Sequence, residues 1–236
     1  EHIIKSSLED RIIYSRDKSA ASFSTPQLVL IPDQLDQIPD ILQFANQQKI
    51  PIVTRGSGTG KSGGANATKS CIILSLERFN SIVKIDRTNR VAEVETGVIT
   101  AVLKNAVSQQ GLFYPPDPAS MEYCTLGGNV AENAGGPHCL KYGVTGDYVL
   151  GLKGFFADGS PFKFGGHCLK DVAGYDLKKL LVGSEGTLAL ISHIYLKLIS
   201  KPLTNKTVLI GFNDRNEATT ALSTICSSGI QPAAAE

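Results

Sequence analysis

The sequence lacks any apolar run near the roughly 18 residues that a membrane-crossing helix needs, and Glu1-His2 opens nothing like a signal peptide. It also lacks a dominant charge: 23 Lys and Arg against 22 Asp and Glu leave a net charge of +1 and a pI near 7.8. That balance argues against a nucleic-acid surface, which carries a clustered basic excess. The five cysteines are odd in number and stand in no paired spacing, which suits a reducing cytosol better than a disulfide framework. His138-Cys139, His167-Cys168 and Cys124 offer metal-ligating atoms, but no C-x-x-C or H-x-x-x-H spacing accompanies them, so no metal is expected. At 236 residues and 42% hydrophobic, the chain is long enough for one large domain or two small ones with a sizeable core.

What the chain has in excess is glycine, 23 residues gathered in loops and not spread as a linker. Residues 51–64, Pro-Ile-Val-Thr-Arg-Gly-Ser-Gly-Thr-Gly-Lys-Ser-Gly-Gly, run from an apolar strand into a loop able to turn its N–H groups toward an anion. Gly60-Lys61-Ser62 matches the end of a P-loop, yet Arg55 occupies the place of that motif's first glycine. Gly58-Thr-Gly60-Lys-Ser-Gly63 satisfies the dinucleotide pattern, with Glu77 placed as its ribose-binding acid. Both motifs require a helix directly after the loop. Ala65–Ser70 is too short and turn-prone to form one, and Cys71–Leu76 is already a strand. The reading is a phosphate loop between two strands, without a helix dipole behind it.

Elsewhere the pattern predicts a buried strand at 27–31 and an amphipathic helix carrying Leu35, Ile38, Leu42 and Ala45, with Pro39 in its first turn. A strand at 50–54 completes a β-α-β unit that places the glycine loop at a strand's carboxyl end, where open sheets hold ligands. Strands follow at 71–76, 82–86 and 91–96. Thr100 is expected to cap a helix that turns Val102, Leu103, Ala106 and Val107 inward and ends at Gly111. Asp147–Phe164 reads as a hairpin turning at Ala157-Asp-Gly159. A short helix at 174–181, a strand at 191–199, a further strand at 207–212 and a helix between Asp214 and Gly229 complete the expectation. The last strand and helix read as the opening of a second domain.

Two more glycine-rich segments are expected as loops: Cys124-Thr-Leu-Gly-Gly-Asn-Val-Ala-Glu-Asn-Ala-Gly-Gly136 and Val182-Gly-Ser-Glu-Gly-Thr-Leu188. A β-rich fold with many tight turns is the plain alternative. With Gly111-Leu-Phe-Tyr-Pro-Pro-Asp-Pro118 and Gly174-Tyr-Asp-Leu, these motifs and the first loop appear in the order found in a known family. The chain resembles the FAD-linked oxidases of the vanillyl-alcohol oxidase and p-cresol methylhydroxylase type. Within them it is most similar to the branch holding the glycolate oxidase FAD subunit and the D-lactate and D-2-hydroxyglutarate dehydrogenases. The resemblance covers nearly the whole chain.

The resemblance implies an α+β fold in which two α/β subdomains clamp an extended FAD. Residues 1–201 would form the FAD-binding domain, split near residue 88, and 202–236 the start of a substrate domain. Arg55, Gly56, Ser57, Gly58, Thr59 and Gly60 would wrap the pyrophosphate, with Arg55 either a ligand or one half of a structural ion pair. Pro116, Asp117, Thr125, Gly127, Gly128, Asn129, Asn133, Gly135 and Gly136 would line the ribityl chain and flavin. Tyr142, Gly143, Glu185, Gly186, Leu190 and Ile191 would close around the flavin edge and adenosine. Some relatives attach flavin through a His in the first loop; Lys61 and Ser62 stand there, so non-covalent FAD is expected. Ala189 replaces a glycine usual in these sequences. The implied activity is oxidation of a small D-2-hydroxy acid of glycolate or D-lactate type by hydride transfer to FAD. The catalytic groups, and any metal, would lie beyond residue 236. A cytoplasmic enzyme follows, with partner subunits or an electron acceptor, and with peripheral membrane attachment through those subunits left open. A non-catalytic FAD-binding subunit and a P-loop-type nucleotide-binding protein stay as alternatives.

Overall fold

The structure, a computed structural model, describes residues 3–235. In chain order its elements begin with β1 (Ile4–Lys5), α1 (Leu8–Ile13), β2 (Leu28–Leu30), α2 (Gln37–Gln47), β3 (Ile52–Arg55) and β4 (Ile72–Ser75). Next come β5 (Ile82–Asp86), β6 (Val91–Glu95), α3 (Thr100–Ser108), β7 (Leu112–Phe113), α4 (Leu126–Glu132) and α5 (Cys139–Tyr142). After a 3₁₀ turn at Thr145–Tyr148 follow β8 (Val149–Phe155), β9 (Pro161–Gly165), α6 (Leu177–Leu181), β10 (Leu190–Lys197), β11 (Ile199–Ser200) and α7 (Arg215–Ser227).

The first lobe is a four-stranded sheet in the order β1-β2-β4-β3, with β2, β4 and β3 parallel and β1 an antiparallel edge. Its central strands read as unbroken apolar runs because both faces are covered. One face puts Leu30, Ile72 and Leu74 against Ile38 and Leu42 of α2; the other puts Val29, Ile31 and Ile73 against Ala67, Cys71 and Tyr14. β3 and β4 are parallel neighbours joined by residues 56–71, which hold no helix. This long helix-free crossover is the glycine loop.

The second lobe is a five-stranded antiparallel sheet, β5-β6-β10-β8-β9. Leu103 and Val107 of α3, with Leu126 and Val130 of α4, pack on Ala92, Val94, Leu152, Ile194 and Leu196. The β8–β9 hairpin turns at Asp158-Gly159, where Gly159 has φ +81°. Because β5 already pairs in this sheet, the changeover falls between Ser75 and Ile82, ahead of residue 88. Leu190, at the start of β10, leaves its own sheet's core and buries among Leu30, Ile38, Leu74 and Phe79 of the first lobe.

Four local expectations need correction. Ile99, not Thr100, caps α3; Thr100 is fully buried because its hydroxyl is drawn inward by Asn129. Ala101 therefore faces the core and Val102 is 52% exposed. Residues 124–136 are not all loop, since Thr125 caps α4 by accepting from the Gly128 amide at 3.2 Å. Residues 207–212 form no strand, for no sheet edge lies beside them to supply backbone partners. The helix after them does form, with the Asp214 carboxylate accepting from the Asn216 and Glu217 amides at 2.7 and 2.9 Å.

Leu190→Ala should destabilise the chain by about 2–5 kcal/mol, the cost of a large-to-small change in a well-packed core. Urea unfolding followed by circular dichroism measures it. A change under about 1 kcal/mol would show that the two lobes do not depend on this contact.

Candidate cofactor cleft between the lobes

A cavity of about 170 Å³ lies where the glycine loop of the first lobe meets α4 and the 185–191 segment of the second. Of the residues expected from the sequence, Arg55, Gly56, Ser57, Gly58, Thr59, Gly60, Thr125, Gly127, Gly128, Asn129, Glu185, Gly186 and Ile191 all line it. Segments far apart in sequence thus converge on one space.

Arg55 ends β3 and is only 8% exposed. Its Nη1 reaches the Ala65 carbonyl at a long 3.5 Å, and its guanidinium sits 5.7 Å from the Tyr14 ring centroid. Among the described residues no carboxylate stands in ion-pair range of it, so the structural ion-pair reading is not met. Burial pushes its pKa down, opposed by the charges of Asp17, Tyr14 and Glu77. Glu77 instead takes the Tyr14 hydroxyl, at 3.0 and 3.1 Å, and the Ser75 hydroxyl at 3.0 Å. Burial and that neighbour raise the Tyr14 phenol to about 12. A buried guanidinium with no direct ion pair is costly, and this one lies beside the loop that the glycines open.

The paired glycines of α4 do different work. A Cβ on Gly127 would come within 2.7 Å of the Thr96 Cβ, so this glycine lets α4 rest on the end of β6. A Cβ on Gly128 would meet only Thr125 Oγ1, at 3.3 Å, and Gly128 is the member of the pair that looks into open cleft. Asn129 gives its amide to Thr100 Oγ1 at 2.7 Å, pinning α4 to α3.

The remaining expected residues lie outside the cavity wall. Asn133 closes α4 in the left-handed region, and its Oδ1 accepts from the Gly146 amide at 2.8 Å. The Pro116 carbonyl accepts from Lys104 Nζ at 3.0 Å, and Asp117 Oδ1 from the His138 amide at 3.1 Å. Gly136 lies against the Asp117 carbonyl, and Gly135 against Cys139. Tyr142 packs edge-on to Phe113 and His138, and Gly143 ends α5. Together these brace the turn that presents Pro118 and Ser120 to the cavity. Leu190 belongs to the first lobe's core, as described above.

Sequence reasoning missed Thr54, Gly64, Ala65, Leu76, Thr96, Pro118, Ser120, Ala131, Glu132 and Ala134, and left Cys124 and Ala189 without a role; all of these line the cavity. Ala131 and Glu132 were findable: they follow Gly128 at helical spacing, which becomes visible once 126–132 is read as a helix. Glu132 is the consequential omission. Ser62 Oγ lies 3.3 Å from Glu132 Oε1 and 3.1 Å from Glu185 Oε2, so one loop hydroxyl bridges two carboxyl groups of the second lobe. Burial raises the Glu132 carboxyl, the Ser62 hydrogen bond lowers it, and the charges of Glu185 and Asp17 raise it further. Among the described residues no three His, Cys, Asp or Glu side chains are grouped to hold a metal ion.

The difference between the two glycines can be measured. Gly127→Ala should lower the thermal midpoint by several degrees, as a loss of about 1–3 kcal/mol implies for a chain this size. Gly128→Ala should leave it nearly unchanged. Equal losses at both positions would mean that α4 is held by something other than its seat on Thr96.

A family model described as an FAD binding domain matches residues 26–165, which includes the glycine loop, Arg55 and the whole of α4. Glycolate oxidase subunit GlcD of Bacillus subtilis is 45% identical over 226 residues, covering 96% of this chain and 48% of that protein. D-lactate dehydrogenase of Archaeoglobus fulgidus is 44% identical over 171 residues, 72% of this chain and 38% of that one. Among solved structures, alkyldihydroxyacetonephosphate synthase superposes with a TM-score of 0.84 at 23% identity, over 99% of this chain and 44% of its own, and so shares the fold. The chain spans about half the length, or less, of the curated relatives it matches. With a match that runs through both lobes and the cleft between them, the chain belongs to the FAD-binding-domain family.

Proposed function

We propose that this chain is the FAD-binding portion of a flavin-dependent oxidoreductase that oxidises a small D-2-hydroxy acid of glycolate or D-lactate type. The observation that carries the cofactor reading is Arg55: a buried cation with no ion pair among the described residues, beside a glycine-rich backbone, facing a cleft. That donor set fits a pyrophosphate, whose charge would meet one fixed guanidinium and the turned amides of 56–60. Gly128, Thr125, Pro118 and Ser120 would border the rest of the molecule. When bound, FAD supplies the hydride-accepting chemistry, and the protein supplies orientation and electrostatics. The substrate class follows the glycolate oxidase subunit and the D-lactate dehydrogenase that the chain resembles.

The same reading divides the chain into an FAD-binding domain over residues 1–201 and the start of a substrate domain over 202–236. Roughly half of each matched relative lies outside the segment equivalent to this chain, and we assign the base that takes the hydroxyl proton there. Among the described residues no helix is long and apolar enough to cross a membrane. A cytoplasmic protein working with partner subunits fits that observation.

Purified protein should be yellow, and acid precipitation should release all flavin to the supernatant, since no histidine stands in the first loop. Arg55→Met should weaken FAD binding by about tenfold to a hundredfold, the worth of a charge-assisted contact. Colourless protein that takes up no added FAD would refute the cofactor reading. Excess glycolate or D-lactate should leave the flavin of the 236-residue chain oxidised and bleach that of the longer protein. Bleaching of the short chain would place the catalytic groups within it, and failure of the longer protein to bleach with any 2-hydroxy acid would favour a non-catalytic flavin subunit.

A further inference from the structure

Ser62 has one hydroxyl proton and two carboxyl neighbours, Glu132 Oε1 at 3.3 Å and Glu185 Oε2 at 3.1 Å. The three residues come from three places: the glycine loop of the first lobe, the last turn of α4, and the 183–187 turn before β10. The carboxyl ends of Glu132 and Glu185 also occupy the places where a Cβ on Gly60 and on Gly64 would sit. A single hydroxyl cannot satisfy two ionised carboxylates, and two like charges at one site raise each other's cost of ionisation. Among the described residues neither glutamate forms an ion pair. Asp17, packed beneath the loop and accepting from the Gly63 amide at 2.9 Å, adds a third acid. Lys61 is exposed and pairs with neither glutamate, and Arg55 sits at the other end of the loop beside Gly58.

We propose that a proton on Glu132, given to the Ser62 hydroxyl while that hydroxyl donates to Glu185, latches the glycine loop onto the second lobe, making both glutamates positioning residues for the cofactor. The proposal rests on the reading that the cleft takes FAD. With the proton present, Glu132 donates where it would otherwise repel, and the loop closes on the cleft. With the proton gone, two charges and Asp17 face one another across the joint and push the lobes apart.

The sign follows from Glu132. Its carboxyl is raised, by burial first and then by Glu185 and Asp17, against the Ser62 hydrogen bond. A group with a raised value disfavours its ionised form in the closed state, so the closed state loses ground as pH climbs from the ordinary carboxyl range through the raised value. FAD retention should therefore be strongest in mild acid and weaken toward alkali.

The test is the FAD dissociation constant of the chain, followed by flavin fluorescence from about pH 4 to about pH 8.5, a range that starts at the ordinary carboxyl value. Wild type should weaken severalfold across it, with the loss concentrated above the ordinary carboxyl value. Glu132→Gln should keep the low-pH affinity throughout, because an amide bears no charge at any pH. Glu185→Gln should flatten the profile in part, because burial still raises Glu132, and the double variant should match Glu132→Gln. Circular dichroism at each pH verifies that each protein is folded. A flat wild-type profile, or a wild-type slope retained in either variant, overturns the latch while leaving the FAD reading in place. No FAD binding by wild type at any pH removes both.

Discussion

Backbone from one lobe lies directly against side chains from the other, and the cleft exists because of that contact. Gly56 faces the Thr125 hydroxyl, Gly60 the Glu132 carboxyl and Gly64 the Glu185 carboxyl, each lying where a Cβ atom would sit, so a side chain there would require these groups to move. The reverse contact is made by Gly186, which lies against the Thr54 hydroxyl at the end of β3. Without these bare backbone positions the glycine loop would stand away from α4. Arg55 would then be open to water, and the burial that leaves it in want of an anion would disappear.

The chain's net charge of +1 conceals a polarised site. At one end of the loop a guanidinium is buried with no carboxylate in ion-pair range among the described residues; at the other, two carboxyl groups crowd a single hydroxyl. Both arrangements cost the protein stability when the cleft is empty of a compensating group. Such costs collect at sites that bind something, since structural positions could be filled more cheaply by apolar residues. The apolar cores on either side are what hold these groups in place. Leu190 matters most here, because it carries β10 of one lobe into the core of the other.

The helix-free crossover from β3 to β4 separates this site from the two phosphate motifs it resembles in sequence. In those motifs a helix follows the loop and supplies its N-terminus to the phosphate. Here two parallel strands are connected without a helix, and in the reading we propose the donors are loop amides and the arginine that ends β3. The helix that borders the cleft, α4, arrives from the other lobe and enters side-on through Thr125 and Gly128.

Local physics in the sequence was enough to place much of this fold. Unbroken apolar runs gave β2 and β4, the spacing of Ile38, Leu42 and Ala45 gave α2, Asp158-Gly159 gave the β8–β9 turn, and Asp214 gave the start of α7. The glycine loop and Arg55 led to the anion site that we propose, because backbone freedom and a fixed cation are properties of residue type. Contacts between distant segments were another matter. That Gly127 serves Thr96 while Gly128 looks into the cleft depends on where β6 ends relative to α4. Glu132 joins Ser62 and Glu185 only through the apposition of two lobes, and residues 207–212 stay unpaired because no sheet edge reaches them. Period and propensity act over a few residues, whereas the pairing of Ser62 with two glutamates 70 and 123 positions away is decided by packing alone.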